Sequence, residues 1–462
     1  MCGIVGVWMK RSSGLESRAA ALAIRGLHRL QHRGHEGAGL CVSQGKGKPF
    51  SVRHSTRMVA DAFPPEVFGA MYGRSATAAN RYSTAGAKND PNPERNLGPL
   101  YEDTKYGESA IAHNGNLKGA SAIRQELKNN GARFKSGIDS ELFFEYIAKS
   151  KKPTFREAML ETLHILPIAY AVIAQTDESL FGARDPRGVR PLWLGESDEC
   201  YVFASETSAI EFVGAKVLRE VEPGELLEIN EKGLQSFRFG PKKRVTPRPC
   251  IFEHVYFARG DERGGAVQHA RILQGKLLAR NHEAPRGVIV GVPTSGLDAA
   301  NGYAEELGKV VTRAIERDPY QLRAFMRPTP KQRELSVELK HAIIAGAVAG
   351  KVVTLVDDSA VRGKTLERII ENMRKAGALE VHVRIASPMV IHPCWFGIDT
   401  PSHKELFANQ FKTEKEMARQ LRADSIEFLH LWELIEASRK ATGQKTFCTM
   451  CFDGKPNKVL LA

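Results

Sequence analysis

VVTLVDDSAVRGKTL (352–366) runs from an apolar, largely β-branched segment through two adjacent aspartates and a short Ser/Gly/Thr-containing loop into a helix. The helix is predicted over 365–376, because Leu366, Ile369, Ile370 and Met373 recur at i, i+3, i+4 and i+7 and Gly377 supplies a stop. Loop amides at a helix start form an anion site, since unpaired N–H groups and the helix macrodipole both favour negative charge there. Gly363-Lys364-Thr365 also ends a nucleoside-triphosphate loop, but that loop requires glycine five positions before Gly363, where Asp358 stands. Asp357 and Asp358 instead suit ribose hydroxyls and Mg²⁺, with a monophosphate held by the loop. A bare helix-capping pair is the weaker reading, because strand, acid pair, loop and helix occur in order.

Working outward, GVIVGVP (287–293) reads as a buried strand and TSGLDAANGYAEELG (294–308) as a helix, and VHVRIASP (381–388) supplies a further strand. Strand–loop–helix–strand units imply a parallel sheet covered by helices. The first half differs. Its apolar runs, such as CGIVGVW (2–8), GAGLCVS (37–43), PLWLG (191–195) and ECYVFASE (199–206), are short and bounded by turn residues. That pattern predicts an α+β unit of antiparallel strands, with helices near Leu15–Leu30 and Ser140–Lys149. The polar, proline-containing FGPKKRVTPRP (239–249) reads as the connection, giving domains over 2–238 and 250–462.

The 462 residues are 42% hydrophobic and 26% charged, which is ordinary globular composition. A net charge of +13 favours anionic partners. The basic residues are scattered, so a nucleic-acid partner is not expected. No apolar stretch is long enough for a membrane span, and MCGIVGVWMK lacks the basic start of a signal peptide. Seven cysteines, an odd number in a long chain, fit a reducing cytoplasm better than a disulfide framework.

Cys2 follows Met1. Removal of the initiator would join a thiol to an α-amine that titrates at about 7.7–8.0, so nucleophile and base would share one residue. LQHRGHEGAGL (30–40), NRYSTAG (80–86), HNGNL (113–117) and GIDSEL (137–142) supply the remaining parts of an amide hydrolase: cations for a carboxylate, an Asn-Gly turn for an oxyanion and Asp139 for an ammonium.

Together these segments resemble the class II glutamine amidotransferases, and the acid-pair loop resembles the phosphoribosyltransferases. With CIFEHVYFARGD (250–261), VPTSG (292–296) and PCWFGIDTPS (393–402), the whole chain is similar to the glutamine phosphoribosylpyrophosphate (PRPP) amidotransferases. The resemblance implies an N-terminal-nucleophile sandwich of antiparallel sheets followed by an α/β phosphoribosyltransferase domain. It implies glutamine hydrolysis at Cys2 and ammonia transfer to C1 of PRPP, at the start of purine synthesis. Asn114 and Gly115 would line the oxyanion hole, Arg81 and Thr84 would hold the glutamine carboxylate, and Asp139 would hold its ammonium. Arg33 and Gly34 would shape the loop around the thiol. Asp357, Asp358 and Ser295 would serve Mg²⁺ and the ribose. Ser359, Arg362, Gly363, Lys364 and Thr365 would cradle the 5′-phosphate. Arg323 and Lys340 would belong to a loop closing over the pyrophosphate. Homotetramers and purine-nucleotide inhibitors are implied as well.

Cys448 and Cys451 form a C-x-x-C that, read alone, fits a redox pair, a zinc half-site or half an iron–sulfur site. The resemblance adds Cys250 and Cys394 as ligands of a [4Fe–4S] cluster. Cys41 and Cys200 read as buried strand residues. Ala78, Ala79, Thr294, Ala324 and Lys364 depart from the family pattern. They leave open a paralogue with another phosphoribosyl acceptor, or a catalytically reduced nucleotide-binding regulator.

Overall fold

Ile4–Met9 is buried at every position because it lies inside a sheet and beneath a second layer. It pairs antiparallel with Cys200–Ala204 on one side and with Ser75–Asn80 on the other. Trp193–Glu196 and Lys216–Glu220 extend this sheet at one edge, and Ala38–Ser43 and Ser51–Ser55 extend it at the other. The computed structural model describes residues 1–11, 18–82, 92–240, 245–317, 341–400 and 402–455.

A second antiparallel sheet runs in the order Gly233–Arg238, Glu225–Asn230, Leu180–Arg184, Tyr170–Thr176, Gly107–Gly115 and Leu100–Thr104. The two sheets bury a shared core: Ile4, Trp8 and Ala79 from the first meet Ala112, Ala171, Ile173 and Leu227 from the second. Helix Ala19–Arg29 packs its alanine-rich face on the outside of the first sheet. Helices Glu141–Lys149 and Phe155–Ile165 cover the second. The latter starts where the Thr154 hydroxyl accepts from the Glu157 amide at 3.3 Å, an N-cap that satisfies an otherwise unpaired donor.

Beyond the connection, Val288–Gly291, Val352–Asp357, Glu380–Ile385 and Ser425–Phe428 form one parallel sheet. Helix Lys364–Lys375 buries Leu366, Ile369, Ile370 and Met373 on it, matching the periodicity. Helix Gly296–Glu306 crosses helix Glu262–Asn281 at backbone distance. A Cβ on Gly275 would stand 1.9 Å from the Ala299 carbonyl oxygen, and one on Gly302 would stand 2.0 Å from that of Ile272. Helix Glu262–Asn281 has no sequence expectation behind it. Arg263, Gly264 and Gly265 take left-handed backbone angles in its first turns, and that irregular start masks its period. Among the described residues no helix is long and apolar enough to cross a membrane.

The two units share a core in which Ala169 and Val189 pack with Ile251, Phe252, Phe396 and Ile398. At its edge the carboxylate of Glu262 accepts from the Thr207 amide at 2.6 Å and from its hydroxyl at 2.8 Å. Burial, reinforced by the Glu206 charge, pushes the Glu262 carboxyl up to about 8 from an ordinary 4.5. The folded chain therefore keeps a proton that the unfolded chain has lost. The stability this gives is complete at acid pH and is lost as pH rises through about 8. Glu262→Gln retains an oxygen for Thr207, so urea midpoints should show wild type losing stability relative to the variant as pH rises from 4.5 to 8. Parallel curves would refute the shift.

Candidate active sites and the bridge between them

The Cys2 thiol lies at the start of the central strand and points to the carbonyl oxygen of Tyr82 at 3.9 Å. Asn80 fixes this corner: its Oδ1 accepts from the Gly3 amide at 2.7 Å and its Nδ2 donates to the Leu30 carbonyl at 2.7 Å. A cavity of about 460 Å³ opens beside the thiol, lined among others by Asn80, Arg81, Tyr82, His113, Gly115 and Asp139. Arg81 is held by the Asn96 carbonyl. Gly34 permits the tight approach here, since a Cβ would fall 2.6 Å from the Arg81 carbonyl oxygen. Asp139 accepts from the Leu117 amide at 2.8 Å. Burial lowers the pKa of His113, so its imidazole is held neutral against the Ser140 hydroxyl at 3.1 Å.

Asn114 is fully buried, and neither its Oδ1 nor its Nδ2 has a hydrogen-bond partner. An unpaired buried amide is costly, and it needs an acceptor that the protein itself does not provide. Ala79 lines the cavity, whereas Ala78 belongs to the core on the far side of the sheet. Of the two departures in that strand, only one therefore borders the site. Thr84 lies outside the described residues, as do Arg323, Ala324 and Lys340.

In the second half Asp357 ends its strand and Asp358 begins the loop, both buried. The Asp358 amide donates to Asp357 Oδ1 at 2.9 Å, and the Ser295 and Ser359 hydroxyls donate to the Asp358 carboxylate. Burial raises both carboxyls, and repulsion from Asp358 adds to the rise at Asp357. Such a pair is fitted to a divalent cation. Gly363 is left-handed at φ 73° and leads into the helix, with Arg362, Lys364 and Thr365 exposed around it. Thr294 accepts from Arg317 at 2.9 Å.

Aromatic rings join the two sites. Tyr82, whose carbonyl faces the thiol, packs edge-on against Phe257 at 6.2 Å. Tyr256 meets the same ring at 5.2 Å, and the charges of Asp358 and Asp357 act on its hydroxyl. Tyr256 and Phe257 lie in a π-helical turn, Glu253–Phe257, whose spacing carries no periodic signal in the sequence.

Arg33 lies behind the thiol rather than in its cavity. It has no exposed surface, and its guanidinium is bound by Glu206 and, at 2.7 Å, by Glu253 of the second half. It borders a separate inter-domain cavity with Glu253, Glu262 and Arg263, not the cavity beside Cys2. Burial alone would raise Glu206, but the Arg33 and His32 charges hold it at about 2.

Cys250, Cys448 and Cys451 are buried, Cys394 is half-buried, and no disulfide joins them. Cys250 and Cys448 sit opposite each other in a parallel bridge. Burial pushes the Cys250 thiol up to about 11, and the charges of Cys250 and Cys394 act on Cys448 and Cys451. The guanidinium of Arg190 opposes that rise at Cys250 and Cys448. Cys250 and Cys448 are thus paired through their backbones, and the charges of the four thiols act on one another. Among the described residues no group of three or more His, Cys, Asp or Glu side chains closes on a point for a single metal ion.

A family model described as a glutamine amidotransferase domain matches residues 90–212, and one described as a phosphoribosyl transferase domain matches 267–389. The fold and its two sites define a glutamine amidotransferase joined to a phosphoribosyltransferase. The chain is 38% identical to the amidophosphoribosyltransferase of Bacillus subtilis, over 98% of this chain and 93% of the relative. It is 37% identical to that of Mycobacterium tuberculosis, over 98% and 86%. Among solved structures it is similar to the B. subtilis glutamine PRPP amidotransferase complexed with ADP and GMP, with a TM-score of 0.87, 37% identity and coverage of 98% and 97%. The chain belongs to the amidophosphoribosyltransferase family.

Removing Arg33 would strand the buried carboxylates of Glu206 and Glu253. Arg33→Ala should therefore cost about 3–5 kcal/mol in urea unfolding while leaving the glutamine KM of the surviving folded fraction near wild type. A large KM change at unaltered stability would show that Arg33 acts on glutamine binding instead.

Proposed function

We propose that this chain converts glutamine and PRPP into glutamate, pyrophosphate and 5-phosphoribosylamine, the opening step of purine synthesis. The reading is supported by one arrangement: a half-buried thiol in a cavity bordered by Gly115, whose neighbour Asn114 carries a buried unpaired amide, with packed rings leading from Tyr82 towards a buried acid pair at the start of a helix.

With Met1 removed, the Cys2 amine takes the thiol proton as sulfur attacks the side-chain carbonyl carbon of glutamine. The Asn114 amide and the Gly115 N–H stabilise the oxyanion. As the tetrahedral intermediate collapses, the amine returns that proton to the leaving nitrogen and ammonia departs. Water then cleaves the γ-glutamyl thioester to glutamate. Arg81 and Thr84 hold the substrate carboxylate, Asp139 its ammonium, and the backbone at Gly34 closes the wall.

In the second site the loop residues Ser359, Arg362, Gly363, Lys364 and Thr365 hold the 5′-phosphate, and Asp357 and Asp358 orient the ribose hydroxyls. Ammonia bonds to C1 as the C1–O bond to pyrophosphate breaks, and the new amine sheds a proton. Arg323 and Lys340 close over the pyrophosphate and exclude water. Mg²⁺ held by Asp357, Asp358 and Ser295 would neutralise charge on the departing pyrophosphate. Thr294 puts a hydroxyl where the family has an acid, and Lys364 adds a cation where the family has threonine; an added cation at the phosphate loop favours a phosphoribosyl acceptor over an inactive site.

Cys250, Cys394, Cys448 and Cys451 suit a [4Fe–4S] cluster, which would tie the tail to both the domain start and the 394–400 segment. The support is the backbone pairing of Cys250 with Cys448 and the action of the Cys250, Cys394 and Cys448 charges on Cys451. Purine nucleotides are the proposed inhibitors and a homotetramer the proposed assembly; the similar B. subtilis structure holds ADP and GMP. The unpaired thiols favour a reducing compartment such as the cytoplasm.

Glutamate and pyrophosphate release should both require glutamine and PRPP, with glutaminase rising when PRPP and Mg²⁺ are added. Cys2→Ala should abolish the glutamine-dependent reaction and keep the ammonia-dependent one; loss of both would count against a division of labour. Protein purified without oxygen should carry iron and acid-labile sulfide in equal amounts, and Cys451→Ser should lose both. Zinc in their place would reject the cluster.

A further inference from the structure

We infer that the Trp395–Gly397 segment of the phosphoribosyl half is a positioning element for the glutaminase, holding the Asn114–Gly115 turn in its oxyanion-binding shape. The inference rests on the reading of Asn114 and Gly115 given above. Gly115 closes its strand between two backbones. On one side a Cβ placed on it would stand 2.1 Å from the Ala169 carbonyl oxygen. On the other side comes a glycine from the second domain: a Cβ on Gly397 would stand 2.9 Å from the Gly115 carbonyl carbon, 3.1 Å from its Cα and 3.2 Å from its oxygen. Gly397 also has φ 113°, so this approach depends on glycine twice over, for space and for conformation.

Neighbouring contacts fix the same segment. Asn116 Nδ2 donates to the Trp395 carbonyl at 2.9 Å, and the Lys118 ammonium sits 5.1 Å over the Trp395 ring. Arg190 Nε donates to the Phe396 carbonyl at 2.6 Å, and Phe396 is fully buried in the core shared by the two domains. Residues just beyond the oxyanion turn are therefore bonded to the other domain. The turn's own amide side chain, Asn114, is left unpartnered. Docking of the phosphoribosyl unit sets the angle at which Gly115 presents its N–H. An oxyanion donor misplaced by a fraction of an ångström loses most of its effect, while substrate binding at Arg81 and Asp139 is spared.

Gly397→Ala in the full-length protein tests this, with glutamine hydrolysis and ammonia-dependent pyrophosphate release measured side by side. The glutaminase kcat should fall about a hundredfold or more, the loss typical of a missing oxyanion donor, with little change in glutamine KM. Ammonia-dependent synthesis should stay within about twofold of wild type. Asn116→Ala removes one hydrogen bond and no glycine, so it keeps the test alive if Gly397→Ala fails to fold; it should lower glutaminase kcat about fivefold with the same sparing of the ammonia reaction. Unchanged glutaminase, or an equal fall in both reactions, would overturn the inference. Wild-type protein with neither reaction would instead overturn the functional reading beneath it.

Discussion

A guanidinium without solvent contact, shared between carboxylates of both domains, decides how the halves of this chain meet. Arg33 leaves the turn behind Cys2, takes Glu206 from its own domain and closes on Glu253 at the start of the other. Three buried charges are tolerable only with their hydrogen bonds intact, so few relative placements of the domains are permitted. Glu253 opens the π-helical turn that carries Tyr256 and Phe257. The ion set therefore aligns those rings beneath Tyr82, and through them aligns the thiol with the acid pair. Arg190, also fully buried, makes a second tie at the Phe396 carbonyl.

The acid-pair loop was legible in the sequence because its determinants are local. A β-branched strand, two aspartates, a left-handed glycine and an amphipathic helix follow one another within one unit. The Cys2 site was legible for a different reason: each short segment carries a recognisable turn or side chain, and the family resemblance assembles them. The ion partners of Arg33 were not legible because they lie 173 and 220 residues away. No spacing rule reaches that far. His113, one position before Asn114, borders the cavity and was not singled out, although the HNGN segment contains it. Asn80 likewise went unnoticed beside Arg81; a polar residue closing an otherwise alanine-rich strand was the available signal.

The rings between the two sites present carbon surface. Under the proposed function the cargo leaves the thiol as neutral ammonia, and a neutral molecule loses little on entering a wall of rings. Ammonium would pay the full cost of shedding water there. Tyr82, Phe257 and Phe252 offer carbon surface, and Phe252 is backed in turn by Phe452 from the cysteine-bearing tail. His113, held neutral by burial, lies at one end of the ring set, and the buried acid pair, its carboxyls raised by burial, lies towards the other. A polar residue in place of Phe257 would give water a foothold in that span. Through Phe452, stacked on Phe252, the tail, although remote from both sites in sequence, backs the rings that lie between them.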